Sequence, residues 1–299
     1  MDATVKKRQG TRIRETGKDR VFNAFNLVFW ILVLFIVLYP LWLILIASVS
    51  DPDAVLQARV LLWPVDFSLM GYEAVFQYSE LWGSYANSVF YTVVGSALSV
   101  MVSLAAAYAL SRSFAGKKIV NLAITFTMFF SGGLIPIFLN VRDLGLYNSR
   151  WAIILPTAIN TYNLIVMRTA FAALPASIEE SAMIDGANDF CILFRITLPL
   201  TKATLAVVVL FYAVEHWNSW FSASIYLRGR EKYPLQLILR EILVNNSTES
   251  MTMGAAADDV EQLSDNLKYA TIVVATLPIL CVYPFIQRYF VKGIMIGSL

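Results

Sequence analysis

The chain has 299 residues, 58% hydrophobic and only 15% charged, with a formal net charge of +2; a soluble domain carries roughly 45–50% apolar and 25% charged residues. Water is therefore not its main solvent, and no nucleic-acid partner is expected. Its two cysteines, Cys191 and Cys281, lie far apart in the chain and supply neither a disulfide nor a metal framework. About twenty polar residues precede the first apolar run, and that run is too long for the core of a cleaved signal peptide, so it reads as a retained span.

Six apolar runs, 22–48, 86–111, 119–140, 151–171, 203–227 and 269–289, have about the length a helix needs to cross 30 Å of hydrocarbon. The expected fold is all-α: a polytopic membrane protein of six transmembrane helices. A cytoplasmic segment, 1–21, precedes a transmembrane domain, 22–299, that carries a cytoplasmic loop at 175–200. Lys and Arg mark the cytoplasmic side. With the N-terminus inside, 15 of the 23 basic residues fall on inner segments, among them Lys6, Arg12, Arg20, Arg112, Lys117, Arg195, Lys202, Arg288 and Lys292. Both termini are thus expected in the cytoplasm, and the long outer loops, 49–85 and 228–268, hold most of the acids, including Asp258, Asp259, Glu261 and Asp265.

In the second run, Gly95, Ser99 and Ser103 recur every four residues, a spacing that lets helix backbones approach closely in lipid. Two readings stay open: a face buried in the bundle, or serines bonded back to their own helix.

The loop between the fourth and fifth runs has legible local signals. Ser177 followed by Glu180 is a capping box that starts a helix at Ile178. Gly186 is placed to end it in the left-handed conformation, Asn188 to cap a second short helix, and Pro199 to limit that one. Ile178, Met183, Ile184, Phe190, Leu193 and Phe194 are too apolar for water, so part of this elbow is expected to be covered by a partner or by the ends of the spans.

The string Glu180-Ser-Ala182, then Asp185-Gly186, then Ile196-x-Leu198-Pro199, resembles the EAA loop of ABC importer permeases, with Ser181 in the place of an alanine. Gly132-Gly-Leu-Ile-Pro136, the stretch from Leu144 to Trp151, His216-Trp-Asn-Ser-Trp220 and the ending from Gln287 to Gly293 are similar to carbohydrate permeases of the maltose-transporter type. Within these, the chain resembles most the branch that takes complex oligosaccharides into Gram-positive bacteria. The resemblance implies a type I ABC importer permease fold in the plasma membrane. It also implies a second permease, two ATPase subunits that use ATP and magnesium, an extracellular substrate-binding protein and movement by alternating access. Glu179, Glu180, Ala182, Met183, Asp185 and Gly186 would then couple this chain to the ATPases.

The chain has no phosphate-loop motif, since Gly116-Lys117-Lys118 lacks both the upstream glycine and the hydroxyl residue. ATP hydrolysis is accordingly expected from separate subunits, and this chain is expected to be non-catalytic and to bind no cofactor. Its single histidine, His216, gives no metal-ligand spacing. Asn245-Asn-Ser and Asn246-Ser-Thr read as loop polarity rather than glycosylation.

Glu215 lies about twelve residues into the fifth run, at a depth where an ionisable group costs about 2.5–3.5 kcal/mol. At helical spacing it goes with Tyr212, Asn218, Ser219 and Ser222. That face is either a translocation path or an interhelical hydrogen bond that locks the bundle. Trp217 and Trp220 either stack on sugar rings or serve packing and the membrane interface, the second reading being preferred. Asn160 and Asn163 add polar groups in the fourth run. A permease for a non-sugar solute and a proton-coupled secondary transporter relaying through Glu215 remain the alternatives.

Overall fold

The computed structural model describes residues 16–245, 268–281 and 284. These residues are almost entirely helical and contain no strand. Helix α1 (Gly17–Ser48) starts on a capping box: Asp19 N–H donates to Thr16 Oγ1 at 3.3 Å, and the Asp19 carboxylate accepts from Thr16 N–H at 2.9 Å. Short α2 (Pro52–Leu56) and α3 (Met70–Gln77) lead to α4 (Ser79–Ser111), the central rod. Then come α5 (Lys117–Phe129), α6 (Leu134–Asp143), α7 (Trp151–Ile154), α8 (Thr161–Ala172), α9 (Ala176–Ile184) and α10 (Asp189–Cys191). A π-helical turn, Ile192–Thr197, joins α10 to α11 (Leu198–Leu200). The chain continues through α12 (Lys202–Trp217), α13 (Trp220–Tyr226), a 3-10 turn at Arg230–Lys232, α14 (Leu235–Asn245) and α15 (Lys268–Cys281).

Among the described residues only α1 and α4 are long and apolar enough to cross a membrane unaided; two bent pairs raise the number to four if each is one span. The third, fourth and fifth apolar runs, expected as continuous spans, are broken. The α5–α6 pair bends by 110° at 130–133, where Gly133 takes φ +89°, a conformation that glycine adopts without penalty. Pro156 cannot continue α7. Asn160 restarts the chain as α8, its side-chain oxygen accepting from Tyr162 and Asn163 N–H at 3.0 and 3.3 Å. In the fifth run, Asn218 bonds back to the Val214 carbonyl at 2.9 Å and separates α12 from α13. The sixth run is described from Lys268 to Cys281. The rest of that run lies outside the described residues, with the exception of residue 284. So do most of segment 1–21, the acids Asp258, Asp259, Glu261 and Asp265, the Asn246-Ser-Thr site and the ending that includes Arg288 and Lys292.

α4 packs against α8 and α12 through its middle and C-terminal part and against α14 nearer its N-terminus. Toward one end, Leu104, Ala107, Tyr108, Met167, Phe171, Val208 and Tyr212 form a buried cluster that reaches Ala182, Ile192 and Leu193 of the elbow. Toward the other, Tyr91, Ile153, Ile154, Ala223 and Tyr226 form a second, and Val75, Leu81, Trp217, Leu235 and Ile238 a third. Lipid supplies no hydrophobic drive between helices, so close packing and cross-helix hydrogen bonds hold this arrangement. α1 stands apart from these clusters: its apolar side chains are exposed, and it is buried only at Ile46, Ala47 and Ser48.

Candidate functional site

The small-residue face of α4 meets α12 residue by residue. Gly95 sits under the His216 ring, where a Cβ would lie 2.7 Å from both Cε1 and Nδ1. Ser99 Oγ is 3.2 Å from His216 Nε2, and Ser103 Oγ is 2.6 Å from the Tyr212 hydroxyl. Of the two readings of this stripe, the buried interhelical face is the one formed. His216, the lone histidine, is 2% exposed and serves this packing.

Tyr212 ties three elements together, because its hydroxyl also accepts from Asn160 N–H at 3.0 Å. The Asn160 side-chain amide in turn donates to Glu215 at 3.3 Å. Glu215 thus has an interhelical hydrogen bond and stays half-buried, while Tyr212 is fully buried and Asn163 nearly so. Trp217 is buried against α14 and edge-on to Tyr85, with ring centroids 6.1 Å apart, which is a packing role. Asn218 is exposed and Ser222 half-buried. Trp220 is half-buried under the Arg240 guanidinium, which lies 4.7 Å from its ring centroid.

On the other side of the fold, α9, α10 and the π turn form the elbow. The expected capping box is not made: α9 begins at Ala176 with Pro175 at the cap and no side-chain cap bond. Pro175 ends the preceding segment and already has the φ a helix start needs, so the first turn forms before Ser177 can act as cap. Gly186 does take the left-handed conformation, φ +84°. Gly186 N–H donates to the Met183 carbonyl at 3.0 Å and Ala187 N–H to the Ala182 carbonyl at 2.9 Å, the paired bonds of a Schellman ending. Asn188 caps α10 by accepting from Cys191 N–H at 2.8 Å. The helix runs through Pro199 to Leu200; the wider π turn before it makes room for the proline ring and its missing N–H.

Ala182, Ile192 and Leu193 face the span ends and are buried, whereas Met183, Ile184, Phe190 and Phe194 are exposed, Ile184 at 86%. The elbow is pinned to the end of α4 by an Arg112–Glu179 ion pair whose side chains are 22% and 19% exposed. Arg112 also lies over the Tyr108 ring, 4.3 Å from its centroid, and the Tyr108 hydroxyl reaches Asp189 at 3.3 Å. This four-residue clasp was not foreseen from the sequence. A basic residue directly after an apolar run was its one visible sign, and positive-inside counting absorbed it.

The far end of α4 holds the 228–235 loop. Asn87 donates to the carbonyls of Glu231 and Tyr233 at 2.8 and 3.1 Å, Tyr91 to that of Lys232 at 2.8 Å, and Ser88 accepts from Leu235 N–H at 2.8 Å. Arg230 pairs with Glu80 and Glu241, each at 3.2 Å. Burial works against its charge, but these carboxylates outweigh burial and hold the guanidinium above its ordinary pKa.

A helical rod clasped at one end to an exposed elbow and at the other to a loop, with polar ties to α8 and α12 between them, is the framework of a helical membrane bundle. Residues 99–296 match the family described as "Binding-protein-dependent transport system inner membrane component", and the chain belongs to that family. It is 42% identical over 285 residues to the polygalacturonan/rhamnogalacturonan transport system permease protein YtcP of Bacillus subtilis, covering 94% of this chain and 99% of that one. Protein LplC of the same organism is 39% identical over 287 residues, covering 96% and 97%. Among solved structures, a chain of a bacterial ABC transporter involved in the import of the acidic polysaccharide alginate superposes with a TM-score of 0.86 at 38% identity, covering 93% of this chain and 99% of that chain. The protein is therefore the membrane permease component of an ABC importer.

Proposed function

We propose that this chain carries oligosaccharides into the cell as one of two permeases of a plasma-membrane importer with both termini in the cytoplasm. A second, related permease completes the pathway, a binding protein delivers the sugar outside, and two ATPase subunits supply ATP and magnesium chemistry inside. The cargo reading is supported by YtcP, named for polygalacturonan and rhamnogalacturonan, and by the solved alginate transporter.

The observation that carries the mechanism is the two-sided elbow. Ala182 is wedged into the bundle and Glu179 tied to Arg112, while Met183, Ile184 and Phe190 are left bare. An apolar knob fixed to a rigid rod is the shape a groove on an ATPase can grip, with Glu180, Asp185 and Gly186 setting the turn. ATPase closure then rocks the helices as rigid bodies. Glu215, Asn218 and Ser222 are the polar groups we assign to the pathway, with Trp220 beside them; Tyr212, Asn163 and Trp217 are buried and hold these groups in place from behind.

The test is Ile184→Asp in the co-expressed complex. A surface change this exposed leaves the fold within about 0.5 kcal/mol. Co-purification of the ATPases and sugar-stimulated ATP hydrolysis are expected to be lost. Unchanged coupling would remove the elbow from the mechanism.

A further inference from the structure

Three arginines on the 142–150 and 228–240 stretches share an unusual environment. Arg240 lies over Trp220 at 4.7 Å, Arg228 over Tyr147 at 5.5 Å and Arg150 over Phe90 at 5.2 Å. Phe90 and Trp220 belong to the edge of one cluster, and Tyr147 meets that cluster through Phe138, 5.8 Å away. All three arginines are exposed. Among the described residues none of the three has a carboxylate within ion-pair distance, whereas their neighbours do: Arg142 is paired with Asp143, Arg230 with Glu80 and Glu241, and Lys232 with Glu231.

A ring beneath a guanidinium attracts it without neutralising it and leaves its N–H fork free. That fork matches a carboxylate in two parallel hydrogen bonds. Arg228 spends one donor, Nε, on the Tyr147 hydroxyl at 2.8 Å, and Arg150 one on Asn87 at 3.0 Å. Among the described residues Arg240 is held by the indole stack. Three cations kept in place at the edge of one hydrophobic cluster, with no carboxylate among the described residues to pair them, are groups that an anion can meet.

We infer that Arg240, with Arg228 and Arg150, reads the carboxylates of a uronate-bearing oligosaccharide on the outer side of the pathway; this rests on the oligosaccharide-importer reading and its orientation. The site selects for charge and is separate from Glu215, whose carboxylate is turned to Asn160.

The test uses the whole importer, with partner permease, ATPases and binding protein, in proteoliposomes. Sugar-stimulated ATP hydrolysis is measured with trigalacturonate and with its fully methyl-esterified form, which keeps the rings and linkages and has no charge. Arg240→Gln is expected to lower kcat/KM for the acid about ten-fold through KM, the order expected of a hydrogen bond to a charged group. It is expected to leave the ester and the sugar-free rate unchanged. Arg240→Lys, which keeps the charge and loses the fork, should fall between. Equal loss on both sugars assigns the arginines to packing or to lipid headgroups and overturns the inference, leaving the importer reading intact; so does an unchanged KM for the acid. Where the native complex responds to the acid alone, KM and the sugar-free rate decide by the same criteria. If Arg240→Gln does not assemble, Arg228→Gln and Arg240→Lys are read in its place. A native complex that responds to neither sugar, nor to a neutral oligosaccharide, overturns the oligosaccharide cargo itself.

Discussion

Replacing Gly95 by alanine tests the contact between α4 and α12 directly, because two opposing effects meet at that one atom. In a helix interior, alanine is favoured over glycine by about 0.8–1 kcal/mol. At Gly95 the new Cβ would stand 2.7 Å from His216 Cε1 and Nδ1 and 2.8 Å from Cγ, about 1 Å inside ordinary carbon contact. The ring has little room to retreat, since it is 2% exposed and bonded to Ser99. Overpacking of this kind costs about 1–3 kcal/mol, and with three ring atoms struck together we place it in the upper half, leaving a net loss of about 1–2 kcal/mol. In a His216→Ala background the obstacle is gone and the same substitution should stabilise by about 0.5–1 kcal/mol. Thermal unfolding of the purified complex across the four variants measures both differences. A Gly95→Ala effect of the same sign and size in both backgrounds would refute the contact.

Three further outcomes follow from the same ties. Arg112→Glu or Glu179→Arg alone should break the clasp between α4 and the elbow and cut sugar-stimulated ATPase activity several-fold. The double exchange should restore much of it; full additivity in the cycle would mean that the pair is incidental. Glu215→Gln keeps the Asn160 hydrogen bond, so assembly and melting temperature should hold while uptake falls; unchanged uptake would leave Glu215 a structural tie only. Asn160→Ala removes the α8 cap and the partner of Glu215 together. It should lower stability by about 1 kcal/mol or more, read by the same unfolding assay, and a neutral result would show that backbone or water replaces both bonds.

The elbow was the most legible part of the sequence, because its chemistry is local. Only glycine sits at Gly186 without penalty, and Asn188 bonds a donor three residues away. The error at Ser177 came from ranking a side-chain cap above a proline that had already fixed the helix start. Hydropathy found the apolar runs and missed where they break, since it sums composition and does not register Gly132-Gly133 or Pro156 as interruptions. The ties that fix the bundle were beyond reach. Ser99 and His216 are 117 positions apart, and nothing near either residue names the other. The small-residue stripe could say only that a helix comes close, and the lone histidine was weighed as a metal ligand rather than as the object that needs the space.

The unbroken length of α4 has a mechanical consequence. At 1.5 Å per residue its 33 residues form a rod about 50 Å long, roughly 20 Å more than the hydrocarbon it crosses. One tip is gripped through Arg112 and the other through the pairing of Glu80 with Arg230 of the loop. Pivoted near its middle, such a rod turned by about 5° moves each tip by about 2 Å in opposite senses. Inward travel at the elbow then becomes outward travel at the loop in the same stroke, with no intermediate part to lag. A single lever of this kind cannot open both ends at once.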